Sequence, residues 1–119
     1  MDEKYHEKLK RIMDEYVHLI YKLTKTFPKD ELFGVVSQLR RAALSVILNY
    51  IEGYARLKNK ININFLEISY GSLQESKYLV QFSFAEGYLL ENDFRRADIL
   101  ASEIGAMLWA TLNNKRSDT

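Results

Sequence analysis

Apolar residues in this chain recur at steps of three and four, and they do so in four separate segments. That spacing is the period of an α-helix buried along one face. The first segment, about 3–26, carries Tyr5, Leu9, Ile12, Met13, Tyr16, Leu19, Ile20 and Leu23. The second, about 30–55, carries Leu32, Val36, Leu39, Ala43, Val46, Ile47, Tyr50 and Tyr54. The third, about 64–89, is apolar on most sides, and Asn64-Phe65-Leu66-Glu67 resembles a capping box at its start. The fourth, about 93–114, carries Phe94, Ala97, Leu100, Ala101, Ile104, Met107, Leu108 and Leu112. One Pro and five Gly leave little turn chemistry for a many-stranded β fold. Four amphipathic helices with short connections predict an all-α, antiparallel up-and-down four-helix bundle. At 119 residues it forms a single domain, 1–119.

The absence of cysteine removes disulfides, thiol catalysis and cysteine-ligated zinc. No apolar run approaches the roughly 20 residues that span a bilayer, and the first residues lack a secretory apolar region, so a cytoplasmic location is expected. The formal net charge is +1, from 17 basic and 16 acidic residues. That is a weak field for nucleic-acid binding by one copy.

The outward faces are the unusual part. On the second helix Gly34, Ser37, Arg41, Ser45, Leu48 and Glu52 lie opposite the apolar stripe. This small-residue face reads either as solvated or as a contact with another subunit, where Arg41 and Glu52 would pair. On the fourth helix Ile99 and Trp109 lie off the stripe. Trp109 reads as an interface anchor or as a ring folded back on the bundle end. A helix apolar all round, like the third, requires something to cover it. The surplus reads as an oligomer contact, the leading expectation, or as a monomer surface covered by the amphipathic Tyr70, Tyr78 and Tyr88.

Catalytic chemistry is poorly supplied. Glu3…His6 and Glu15…His18 repeat a Glu-x-x-His pattern, but both copies sit on one helix, whereas di-iron bundles spread them over two. His18 points about 160° from Tyr16, and both histidines are expected in solvent. Glu52 and Glu75, on neighbouring helices, are the candidate pair for general acid–base work, with or without a metal. Arg40, Arg41 and Asn49 offer them a structural polar network instead. No phosphate-binding glycine loop occurs. The expectation is a non-enzymatic protein without cofactor or metal. Basic residues cluster at Arg56, Lys58 and Lys60, at Arg95 and Arg96, and at Lys115 and Arg116. An oligomer would repeat these clusters and turn weak phosphate contacts into a substantial one.

Four stretches carry a resemblance. They are Phe27-Pro28-Lys29-Asp30-Glu31-Leu32-Phe33-Gly34 with Gln38-Leu39-Arg40-Arg41-Ala42-Ala43-Leu44-Ser45, and Phe65 to Glu75 after Asn49-Tyr50-Ile51-Glu52-Gly53. The set resembles the bacterial four-helix-bundle family of proteins encoded in intervening sequences of 23S rRNA genes. Accessory variability determinants of diversity-generating retroelements share its superfamily. The resemblance implies a homopentameric ring. For the retroelement branch it implies a non-enzymatic accessory that binds reverse transcriptase and RNA or DNA through basic surfaces. Arg41, Asn49, Glu52, Gly53, Gly71, Ser72 and Glu75 match its motifs, while Tyr50 and Ile51 stand where the family commonly has small residues. The leading expectation is therefore an oligomeric adaptor for nucleic acid or a nucleic-acid-processing partner. The alternatives are a protein-only interaction module anchored by Trp109 and Ile99, and a small-ligand or metal-dependent bundle enzyme using Glu52 and Glu75.

Overall fold

The computed structural model describes residues 3–117. Helix α1 spans Glu3–Thr24, α2 Ser37–Tyr54, α3 Asn59–Ala85 and α4 Glu91–Ser117. No strand occurs among the described residues. Each helix packs on the next, and α4 packs back on α1, which closes an up-and-down bundle measuring 45 × 25 × 18 Å. The core runs along the shared axis through Leu9, Tyr16, Ala43, Leu73, Ile104 and Leu108, all essentially without solvent contact. Burying stripes of this kind is the dominant stabilising term in such a fold.

Polar ties fix the register between helices. The Tyr5 hydroxyl donates to the Met107 carbonyl (2.8 Å), joining α1 to α4. Buried Tyr16 and Ser76 hydroxyls lie 2.8 Å apart, and Ser76 donates to the Leu73 carbonyl, so Tyr16 donates to Ser76. Ser69 donates to the Val46 carbonyl at 2.6 Å. Ser69, Ser76 and Ser83 recur every seven residues on the buried side of α3. Their small side chains leave room for close packing against the neighbouring helices. At Gly53 α2 approaches α3 closely: a Cβ there would stand 2.9 Å from Phe65 Cβ and 3.2 Å from the Asn62 carbonyl oxygen.

The helix boundaries differ from expectation at several ends. The second helix does not begin at 30. Lys29–Glu31 form a 3₁₀ turn, and Leu32–Val36 a π-helical turn broken at Gly34 (φ −105°, ψ −114°). This widened turn leaves Leu32 outside the core, although the period placed it inside. The third helix begins at Asn59, five residues before the proposed capping box. Asn64 lies exposed in its second turn, and Lys58, extended at φ −78° and ψ 124°, precedes its first residue. It also stops at Ala85. Gly87 takes φ +82°, with its N–H on the Phe84 carbonyl and that of Tyr88 on the Ser83 carbonyl. This is a Schellman stop, and only glycine enters that backbone region freely. Helix α4 runs three residues past the expected 114. Glu91 and Asp93 stand in its first turn and Lys115 and Arg116 in its last, each favoured by the helix dipole.

Candidate functional site

The outward face of α2 carries an apolar groove of about 590 Å³. Leu32, Phe33, Val36, Leu44 and Leu48 line it, together with Arg40, Arg41, Ser45 and Asn49. The π-helical turn projects Phe33 so far that 92% of its surface is exposed. Of the residues proposed for an interface, Arg41, Ser45 and Leu48 belong to this groove. Glu52 does not pair with Arg41. It lies one turn from Arg56 and accepts that guanidinium. Arg40, also on the groove, donates to the Thr24 hydroxyl (2.8 Å) and the Tyr21 carbonyl and lies over the Tyr21 ring.

The matched motif divides into two sets. Asn49 donates to the Ser45 carbonyl and hydroxyl, and the Ser45 hydroxyl meets that of Ser72 at 2.7 Å. With Gly53 these residues hold α2 against α3. Arg41, Gly71 and Glu75 take no part: all three are exposed, and a Cβ on Gly71 would meet nothing within 4 Å. Glu75 also stands far from Glu52. The amide of Asn62 bonds the Gly53 carbonyl, so Glu75 lies thirteen residues further along α3, roughly 20 Å of helix rise away. The two carboxylates do not form an acid–base pair.

Apolar surface continues on α3 and α4. Ile68, Tyr78, Phe82 and Phe84 are exposed, and none of them lines the α2 groove. The surplus apolar character of the third helix is therefore left uncovered within the chain. Ile99 is 66% and Trp109 46% exposed. Trp109 rests against Tyr70 (5.5 Å between rings) with the Arg116 guanidinium 5.5 Å above it.

The basic clusters sort by position. The α2–α3 connection and the end of α4 meet at one end of the bundle, where the Asn59 amide donates to the Lys115 carbonyl (3.0 Å). Arg56, Lys58, Lys60, Lys115 and Arg116 share that end, whereas Arg95 and Arg96 begin α4 at the opposite end. Three arginines are partly neutralised: Arg56 by Glu52, Arg116 by Glu67 (2.7 Å) and Arg95 by Glu91 (3.3 Å). Lys58, Lys60 and Lys115 have no carboxylate within ion-pair distance among the described residues.

Arg56 and Lys115 line a pocket of about 480 Å³ at this end that the sequence reading missed. His6, expected in solvent, is only 6% exposed. Its Nδ1 lies 2.9 Å from the Tyr50 hydroxyl, and its ring stacks on Tyr54 at 3.4 Å. Burial, and then Lys10, hold its pKa below the ordinary histidine value, so the imidazole is neutral at pH 7. Burial likewise pushes the Tyr50 phenol up. The signal for His6 was its three-residue step before Leu9, which continues the buried stripe. His18 is exposed as expected, 3.4 Å from Asp14. No group of three or more potential metal ligands forms among the described residues. No helix of the described residues is long and apolar enough to cross a membrane.

Comparison with known proteins agrees with the fold. No curated protein matches the chain. A crystal structure of a protein of unknown function from the S23 ribosomal protein family of Bacteroides thetaiotaomicron superposes with a TM-score of 0.84. The match covers 92% of this chain and 98% of that one at 19% sequence identity, which is a likeness of fold. The model of the 23S rRNA-intervening sequence protein family matches residues 8–110, so the chain belongs to that family.

Proposed function

We propose that this protein is a non-enzymatic, self-associating adaptor whose copies join through the α2 groove and bind nucleic acid with their basic ends. The observation that carries the reading is the gathering of five of the seven candidate basic residues at one end of the bundle. Two apolar faces support assembly, one on α2 around Phe33 and Leu48, the other on α3 around Ile68 and Tyr78. Unlike faces of this kind suit a head-to-tail contact, which closes into a ring when the rotation permits. The exposed Gly71, one turn before Glu75 on α3, would let a neighbouring helix approach closely. In a ring with its axis along the bundles, every basic end lies on the same rim. Multivalent phosphate contact then offsets the near-neutral charge of one copy. The resemblance to retroelement accessory proteins points to a reverse transcriptase as the processing partner and to five copies per ring.

Light scattering over a range of concentrations tests assembly. A multiple of 14.0 kDa is expected, and a clean single-copy mass at all concentrations overturns it. Binding of RNA and DNA strands across a salt series tests the rim. Reversing Lys58, Lys60 and Lys115 to Glu should flatten the slope of log K against log salt by about 2 per engaged copy on a single strand. An unchanged slope removes these lysines from the interface.

A second reading is a protein-only module, favoured by the exposure of Ile99 and Trp109 on α4. Trp109→Ala that leaves assembly and partner capture unchanged dismisses that anchor.

A further inference from the structure

Among the described residues, the pocket at the basic end contains one buried polar atom with no hydrogen-bond partner, Asn62 Oδ1. Asn62 is 4% exposed, and its amide nitrogen is already committed to the Gly53 carbonyl at 2.5 Å. The side chain is therefore oriented, and its free oxygen is an acceptor in want of a donor. A buried unsatisfied carbonyl costs about 1–3 kcal/mol, so a donor-bearing ligand gains from filling it. Close by, the Tyr54 ring lies flat on His6, with 12° between the planes, and about half of it stays exposed. Arg56 and Lys115 stand at the rim. The site thus asks for a flat ring that carries an N–H donor and is joined to an anion.

We propose that this pocket takes one unstacked nucleobase of a single strand, whose flanking phosphates lie on Arg56 and Lys115. The proposal rests on the nucleic-acid reading above and names the form of nucleic acid recognised. The base edge donates to Asn62 Oδ1. Its face covers the Tyr54–His6 stack, as bases cover aromatic platforms in single-strand binders. The volume, about 480 Å³, lies within the range of small-ligand sites and leaves room for a base and its sugar. A duplex presents no free base, so the pocket selects single strands, loops and ends. Asn62 Oδ1 is the unpartnered atom, and as an acceptor it favours bases with an exocyclic amine.

Stacking and phosphate contact separate in one experiment. The full chain is titrated with a single-stranded RNA oligomer over a salt series, as wild type, Tyr54→Ala and Tyr54→Phe. Tyr54→Ala should weaken binding about ten-fold at every salt concentration without changing the slope, and Tyr54→Phe should restore it. In NMR spectra, adenosine monophosphate should shift the Asn62 side-chain amide, and inorganic phosphate should not. Tyr54→Ala binding like wild type overturns the pocket, and so does inorganic phosphate reproducing the nucleotide's shifts. In either case a retained salt slope leaves the adaptor reading standing. A wild-type protein that binds no strand even at low salt overturns both.

Discussion

Gly53 and Gly71 invite the same substitution with opposite outcomes. Alanine is the better helix former by about 0.5–1 kcal/mol at an interior position, so propensity alone predicts a gain at both. At Gly53 the added methyl would stand 2.9 Å from Phe65 Cβ, 3.2 Å from the Asn62 carbonyl oxygen and 3.3 Å from Leu66 Cδ2. The first two atoms are a Cβ and a backbone oxygen, so relief requires α2 and α3 to move apart. Overpacking of that kind costs about 1–3 kcal/mol. The Asn62–Gly53 hydrogen bond spans the same contact and would stretch with it. The net expectation for Gly53→Ala is a loss of about 1–2 kcal/mol. At Gly71 an added Cβ would meet nothing within 4 Å among the described residues outside its own stretch of helix, so Gly71→Ala should stabilise the single chain by about 0.5–1 kcal/mol.

Urea unfolding followed by circular dichroism measures both. Several protein concentrations are needed, because self-association makes apparent stability concentration-dependent. Gly53→Ala unfolding at or above the wild-type midpoint would refute the claim that a close α2–α3 crossing requires glycine there. If the α2–α3 surface is where copies meet, Gly71→Ala should weaken assembly while strengthening the fold, and light scattering separates the two effects.

Three further outcomes follow from the same contacts. Ser76→Ala removes the acceptor of the buried Tyr16 hydroxyl and should cost about 1–3 kcal/mol, more than Tyr16→Phe does; equal losses in thermal unfolding would deny the chain from Tyr16 through Ser76 to Leu73. Burial pushes the Tyr16 phenol up to about 12 from an ordinary value of 10.0, so folded and unfolded chains bind the same proton below pH 10 and only the unfolded one releases it between pH 10 and 12. Stability should therefore hold below pH 10 and fall by roughly 2–3 kcal/mol from this group by pH 12; a Tyr16→Phe variant with an equally steep alkaline loss would remove Tyr16 as its source. Phe33→Ser with Leu48→Ser empties the α2 groove of its two most outward apolar groups without touching the core, and should lower the scattering mass with helicity unchanged; an unaltered assembly places the contact elsewhere.

Helix type and order were legible because burial repeats at a period that side chains alone report. Leu9, Tyr16, Ala43, Ile104 and Leu108 all sit where that period places them. The ends were less legible, because they depend on single backbone groups. Gly87 stops α3 through two backbone hydrogen bonds, and no side-chain pattern announces which glycine will enter the left-handed region. The π-helical turn at Leu32–Val36 shifts the phase of the helix, so a period counted through it sends Leu32 to the wrong side.

The site was half legible for a related reason. Clusters of cations are visible in one dimension, and Arg56, Lys58 and Lys60 were found that way. That Lys115 joins them, and that Arg95 does not, depends on which ends of antiparallel helices coincide. Polar pockets are harder still, since the residues that build this one are separated by most of the chain. His6 from α1, Tyr50 and Tyr54 from α2, Asn62 from α3 and Lys115 from α4 meet only once all four helices are in register. Each also has an ordinary structural account when taken alone: a stripe histidine, a core tyrosine, an asparagine bonded to a neighbouring backbone. What remains after those accounts is one oriented acceptor without a donor, at the end of the bundle where the lysines gather. The Gly53 carbonyl accounts for the Asn62 amide nitrogen, so the proposed recognition of a base at this end of the molecule begins with that oxygen.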